Sequence, residues 1–263
     1  MHSCRLCEGD LLQQFNLTML GKYDVAFSKC MQCHSLQTQT PYWLEEAYAE
    51  NNLSHLDTGA VQRNIHNLAA CYSISRLFKI HNVIDMGGGD GLLCRMLRDY
   101  NINCFVKDKY ATPTYAQGFT EQNFSTPDMV IGFEVLEHFA NPKTDLEELF
   151  SKHAKVMLLS TALYSDQKCD WWYLAPESGQ HVFFYSKQAL EMIAKNYSYS
   201  LLISGGFILL TKHTSNLKKW FAKLFLSKVV CRLFRAWVVL LPAPGIKQDQ
   251  ILQAKQSKLK QNQ

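Results

Sequence analysis

The sequence predicts an α/β fold: a mostly parallel sheet covered by helices on both faces and preceded by a small four-cysteine ribbon. Three observations carry that expectation. Short apolar runs alternate with amphipathic segments from His81 to Asn196, the pattern of strands and crossover helices in a parallel sheet. One intervening turn is glycine-rich, Gly87-Gly88-Gly89-Asp90-Gly91. Two Cys-x-x-Cys pairs stand ahead of the alternation. The 263 residues are 47% hydrophobic and 19% charged, which excludes a disordered or fibrous chain and allows a real core.

The ribbon comes first. Cys4 and Cys7, then Cys30 and Cys33, have the spacing that lets one tight turn aim two sulfurs at a tetrahedral ion. Four thiolates leave no open position on zinc, so the expected role is structural. Between the pairs, Leu11–Leu17 reads as an edge strand, with Gly9 and Gly21 available for turns. Residues 41–80 read as a helical cap: Trp43, Leu44, Ala47 and Tyr48, then Val61, Ile65, Leu68, Ala69, Tyr72 and Leu77, fall at helical spacing.

The sheet follows. An apolar strand ending near Met86 leads through the glycines into a helix at Leu92–Tyr100; further strands are expected at Asn103–Lys107, Met129–Phe133 and Lys155–Ser160. Helices are expected at about Pro142–Lys152 and Ser186–Asn196, and Tyr199–Ser204 with Phe207–Lys212 reads as a hairpin around Gly205-Gly206. The chain thus divides into a ribbon (1–40), a cap (41–80), a core (81–213) and a basic tail (214–263).

The glycine turn discriminates between ligands. Position 92 is Leu, so the G-x-G-x-x-G phosphate fingerprint is incomplete, and no G-K-[ST] follows. What stands there is Asp85-x-Gly87-x-Gly89-x-Gly91, and a second acid, Asp108, closes the next strand. An acid at that second position bonds ribose hydroxyls, and an acid beside the glycines receives a cationic amine. The combination suits S-adenosylmethionine, which carries a ribose, an amino-acid end and a sulfonium.

On these residues the chain resembles the class I S-adenosylmethionine-dependent methyltransferases. The resemblance rests on Val83–Gly91, Asp108 and Met129–Pro142, and extends to the ribbon, Tyr42–Tyr48, Trp171–Tyr173 and Gly179–Ser186. Over about residues 1–210 it is similar to bacterial zinc-ribbon members associated with sugar and surface-polysaccharide modification. The resemblance implies a Rossmann-like core. It implies that Asp85, Gly87, Gly88 and Gly89 hold the methionine end, Asp108 the ribose, and that Phe133 and Glu134 line the site. It further implies transfer to an oxygen of a sugar, glycan or small-molecule acceptor.

A hydroxyl acceptor calls for a base, and two histidines are candidates. His138, in Glu134-x-x-Glu137-His138, follows a strand whose carboxyl end borders the ligand crevice. His181 is preferred, because Trp171, Trp172, Tyr173 and Phe183 around it offer a platform for a sugar face. The alternative reading is that His138 caps a helix and His181 is a satisfied structural histidine. The Glu134, Glu137 and His138 string also resembles the metal cluster of some ubiquinone-pathway and small-RNA ribose methyltransferases.

Charge separates body from tail. From Lys212 onward stand eleven basic residues and one acid, Asp249, leaving 16 basic against 22 acidic residues before it. Residues 217–241 read as one amphipathic helix with a basic polar face, of the kind that lies on anionic membrane. A nucleic-acid arm, a partner-binding helix and a helix folded over the acidic body are the competing readings. Pro242-Ala243-Pro244-Gly245 ends it, and Ile246–Gln263, rich in Lys and Gln, is expected to be disordered. With no secretion signal or membrane span to read, and with an odd total of nine cysteines that includes the Cys-x-x-Cys spacing of reduced thiols, the expected location is cytoplasmic, with peripheral contact at the inner membrane. The opposing class is a nucleic-acid-binding ribbon protein, or an RNA methyltransferase using the tail. The ribbon argues against it: residues 1–50 hold only Arg5, Lys22 and Lys29 as bases against six acids.

Overall fold

The computed structural model describes residues 3–49, 58–120 and 126–261, and the side chains of these up to residue 254. Its centre is a six-stranded sheet. The strands are β4 (Asn82–Met86), β5 (Asn103–Lys107), β6 (Met129–Phe133), β7 (Val156–Ser160), β9 (Ser200–Ser204) and β10 (Phe207–Thr211), in the order β5-β4-β6-β7-β10-β9. The first four are parallel, and β10 runs antiparallel between β7 and β9. β6, β7 and β10 are buried almost throughout because their Val, Ile, Leu and Met side chains meet helices on both faces.

On one face lie α2 (Ala60–Phe78) and α3 (Leu92–Asp99), whose Leu68, Ile74, Leu93 and Leu97 pack with Val83, Ile131 and Leu209. On the other lie α4 (Pro142–Phe150) and α5 (Lys187–Asn196), whose Leu146, Leu149, Leu190 and Ile193 pack with Val130, Met157 and Ile208. Ser186 caps α5, accepting a hydrogen bond from the Ala189 N–H. The chain leaves β4 toward β5 on one side and returns to β6 on the other. That reversal opens the crevice in which α/β sheets bind ligands.

The ribbon is a second sheet: β1 (Leu11–Met19), β2 (Tyr23–Cys30) and β3 (Leu36–Thr38), antiparallel, with β8 (Phe183–Phe184) added at its edge. Leu36 pairs with Phe184 and Gln37 with Phe183, so the ribbon is stitched to a segment about 150 residues later in the chain. Trp43, just ahead of a short α1 (Leu44–Ala49), and Ala47 within it pack on the ribbon with Tyr164, Tyr173 and Leu174.

Two expectations for the tail are corrected. Residues 217–241 form two helices, α6 (Asn216–Phe225) and α7 (Lys228–Val238), because Ser227 caps a new start by accepting from the Val230 N–H. Both lie on the body, with Ala222, Leu226, Cys231 and Val238 buried in the α2 face of the core. Gly245–Gln261 is a helix, α8, where disorder was expected; Asn262 and Gln263 lie outside the described residues. Lys and Gln are good helix formers, and Asp249 anchors the helix: its two carboxylate oxygens accept from Arg98 Nε at 2.7 Å and Nη2 at 2.8 Å.

Candidate active site

The glycine turn begins where β4 ends. Asp85 is 2% exposed, and its Oδ2 has no hydrogen-bond partner among the described residues. Burial, reinforced by Asp108, pushes its carboxyl up to about 8. Gly87 has φ +68° and its missing side chain would strike Val135, so the turn closes only with glycine. A Cβ at Gly88 would lie against the Asp85 carboxylate. The Gly89 N–H donates to Asp108 Oδ2 at 2.9 Å, while the Tyr110 and Ala111 N–H groups each donate to Oδ1 at 2.8 Å.

Asp108 therefore ties the turn after β4 to the turn after β5, and its flanking lysines point elsewhere. Lys107 pairs with Glu148 at 2.8 Å and Lys109 lies over the Tyr110 ring. The orphaned buried oxygen of Asp85 and a bare glycine surface fit the ammonium end of S-adenosylmethionine. The Asp108 carboxylate, with lone-pair capacity left on Oδ2, fits its ribose.

Beside this turn stands a polar cluster that the sequence reading found only in part. Glu134 follows β6 at φ +55°, a conformation a side chain rarely adopts. Ser160 at the end of β7 stabilises it: the Glu134 N–H donates to the Ser160 carbonyl at 3.1 Å, and Ser160 Oγ donates back to Glu134 Oε1. Such outliers cost about 1–3 kcal/mol and gather at functional sites. Phe133 turns the other way, into the core against Phe207 at 5.9 Å.

The Tyr173 hydroxyl lies 2.8 Å from Glu134 Oε2, 2.6 Å from Glu137 Oε1 and 3.2 Å from Thr161 Oγ1. One hydroxyl proton cannot serve two carboxylates. Burial, together with Glu134 nearby, pushes the Glu137 carboxyl well above its ordinary range, so a proton is shared within the Glu134–Tyr173–Glu137 network.

Tyr173 also sets His181. Its backbone carbonyl lies 2.7 Å from His181 Nδ1, and since a carbonyl only accepts, Nδ1 carries the hydrogen and Nε2 the free lone pair. Burial lowers the His181 pKa, with the Tyr173 carbonyl opposing, so the ring is neutral near pH 7. His138 meets His181 edge-to-face at 4.9 Å. Its Nδ1 is 3.0 Å from the Tyr48 hydroxyl, and burial holds it down to about 3. Tyr48 in turn stacks on Tyr110 at 4.0 Å, joining the histidine pair to the loop after Asp108.

Of the expected aromatic platform, Trp172 is 78% exposed and free to meet a ligand. Tyr173 is the buried hub, and Phe183 is fully buried under the Arg5 guanidinium. Phe183 is thus part of the core, packed in the cluster of α4 and α5, while Phe184 on the other side of β8 enters the ribbon's core. Tyr48, which at helical spacing reads as part of the cap, joins the histidine pair unannounced by the sequence, and Tyr173, expected as a platform ring, is instead the buried hydroxyl between Glu134 and Glu137.

The four ribbon sulfurs converge. Cys4 and Cys33 are 3.7 Å apart, Cys7 and Cys30 3.5 Å, and all lie within 4.8 Å of one another. Backbone N–H groups of Gln32 and Cys33 aim at the Cys30 sulfur. This donor set fits a tetrahedral thiophilic ion. Arg5, between the first two cysteines, reaches from the ribbon to the site: Nη1 donates to the Ala140 carbonyl at 2.9 Å and Nη2 to the Val182 carbonyl at 2.6 Å. The ribbon thereby grips the residue next to His181.

A family model described as a methyltransferase domain matches residues 53–204. No curated protein sequence matches the chain. Among solved structures, it is similar to the plantazolicin methyltransferase BamL in complex with a triazolic desmethylPZN analog and SAH. The two are 13% identical at TM-score 0.50, covering 74% of this chain and 88% of that one. An O-methyltransferase family protein from Burkholderia thailandensis is 16% identical at TM-score 0.48, over 65% of this chain and 63% of that one. Magnesium protoporphyrin IX methyltransferase from Synechocystis with bound SAH is 15% identical at TM-score 0.44, over 64% and 92%. At these identities the likeness is one of fold. The family match spans the strand-turn-helix that holds Asp85, Asp108 and the Glu134 cluster: the chain belongs to the methyltransferase-domain family and is a class I S-adenosylmethionine-dependent methyltransferase.

Proposed function

We propose that the enzyme methylates a hydroxyl oxygen of a sugar, glycan or small-molecule acceptor, with His181 as the base. The observation that carries this reading is the bond from His181 Nδ1 to the Tyr173 carbonyl, which leaves Nε2 unprotonated on a neutral ring. Bound S-adenosylmethionine supplies an electrophilic methyl group on a sulfonium. Asp85 and the Gly87–Gly89 backbone would hold its amino-acid end and Asp108 its ribose. His181 Nε2 receives the acceptor's hydroxyl proton as the oxygen becomes a nucleophile. His138, fixed by Tyr48, limits how the His181 ring can turn, and the Glu134–Tyr173–Glu137 network fixes the carbonyl that sets its tautomer. Trp172 offers an exposed ring for the apolar face of a sugar. Zinc in the Cys4, Cys7, Cys30 and Cys33 site would be structural, holding Arg5 and through it the His181 loop. Turnover by His181→Ala and His181→Gln tests the role: loss of about 100-fold or more in kcat with unchanged cofactor affinity is expected. Unchanged kcat refutes it.

One observation favours a second reading of the same cluster. Glu137, His138 and His181 present atoms within 4.8 Å of one another, and Glu137 Oε2 has no partner among the described residues. A hard divalent ion held there would polarise the acceptor hydroxyl directly. Turnover that disappears on chelation and returns with Mg2+ or Mn2+, at full cysteine-site occupancy, selects this reading.

A further inference from the structure

The tail helices carry two apolar faces each, and only one is used by the fold. At about 100° per residue, Ala222 and Leu226 lie on the side of α6 that enters the core. Leu217, Trp220 and Leu224 lie roughly opposite, at 66%, 57% and 39% exposure. The same holds for α7. Cys231 and Val238 face inward, while Val229, Leu233 and Leu240, the last just past the helix end, form the opposite stripe at 69%, 70% and 79% exposure. Where α6, α7 and α2 meet lies an open cleft of about 560 Å³, walled by Phe221 and Phe225 of α6, Phe234 and Trp237 of α7, and Tyr72 and Leu77 of α2. Lys223 and Arg232, exposed and about 100° round from the inward residues, flank the two stripes, and residues 216–245 contain no acid.

We propose that this α6–α7 face is a docking surface for an anionic lipid bilayer, with the Leu, Val and Trp stripes entering the interface and the basic side chains meeting lipid phosphates. A stripe of large apolar residues with a cationic border and no anions is the composition of an interfacial helix. Two competitors fit less well. A second copy of the chain would bring two acid-free cationic rims together. A nucleic acid would meet the lysines, but the outermost side chains are aliphatic and offer it nothing to bond. The α6–α7 pair lies in the plane of the membrane: among the described residues no helix is long and apolar enough to cross one.

Full-length protein is floated with vesicles of pure phosphatidylcholine and of phosphatidylcholine with phosphatidylglycerol, while Trp emission is followed. Binding to the anionic vesicles with a blue shift is expected, and weak binding to the neutral ones. Lys223→Gln with Arg232→Gln should weaken partitioning by roughly 25-fold, about fivefold per charge. Leu233→Ser with Leu240→Ser should abolish the blue shift; both residues are so exposed that thermal unfolding and cofactor binding should not change. Equal binding to both vesicle types overturns the proposal. So does a serine variant that floats like the wild type, a dimer that this variant dissociates, or retention by RNA without retention by vesicles.

Discussion

Replacing Asp85 by Asn tests the electrostatics of the cofactor turn without changing its shape. Asp85 is 2% exposed and raised to about 8 from an ordinary 3.8. Between those values the native protein holds a proton that the unfolded chain releases, so wild-type stability falls as pH rises through the window, by about 1.4 kcal/mol per pH unit. Asparagine has no proton to release. From pH 5 to pH 7 the variant should therefore gain roughly 2.7 kcal/mol on the wild type, two units at that slope. Other titrating groups, Glu137 among them, cancel in the difference. Urea unfolding of both proteins at pH 5, 6 and 7, followed by Trp fluorescence, reads the effect. Parallel pH dependences would show that Asp85 is ionised in the free enzyme and would refute the reasoning. Cofactor should reverse the preference: its ammonium favours ionised Asp85, so binding at pH 7 should release about 0.9 of a proton from this site in the wild type and none in the variant.

Tyr173→Phe leaves Glu134 and Glu137 without their shared partner. A loss of about 1–3 kcal/mol in stability and a lower kcat at unchanged cofactor affinity are expected from unfolding and steady-state kinetics. Stripping the cysteine site with a chelator, or substituting Cys7→Ser, should release Arg5 from the Val182 carbonyl; hydrogen exchange should quicken at 36–38 and 182–184 while β4 to β7 stay protected. Asp249→Asn removes the carboxylate from the buried Arg98 pair, at a cost of about 3 kcal/mol. Exchange confined to residues 245–254 reads it, because the helix is peripheral. The Asp249 carboxyl, though burial opposes it, is held below its ordinary range by Arg98 and Arg95, so this docking should be intact at pH 7 and be lost only as the pH falls below the ordinary carboxylate range.

The parallel strands were legible because each is a short apolar run ended by a glycine, an acid or a polar turn. Asn103–Lys107 and Met129–Phe133 fall where the sequence places them. The glycine turn was legible for the same local reason: Asp85, the glycines and Asp108 sit at fixed offsets from strand ends. What escaped was non-local. Phe183–Phe184 is too short to announce a strand, and only pairing with β3 makes it one. Tyr173 reads as an aromatic among aromatics until Glu134 and Glu137 arrive from β6. The tail shows both limits. Ser227 is a cap signal that the continuous amphipathic pattern obscured, whereas the anchoring of α8 depends on Arg98, a residue about 150 positions earlier that no local pattern reveals.

The central claim is that Asp85, the glycine turn and Asp108 form the S-adenosylmethionine site. Isothermal calorimetry of the cofactor with wild type, Asp85→Asn and Asp108→Ala at neutral pH tests it most directly. The account predicts measurable binding by the wild type and at least tenfold weaker binding by each variant, with all three proteins folded. Equal affinities across the three, or no binding by the folded wild type, would contradict it.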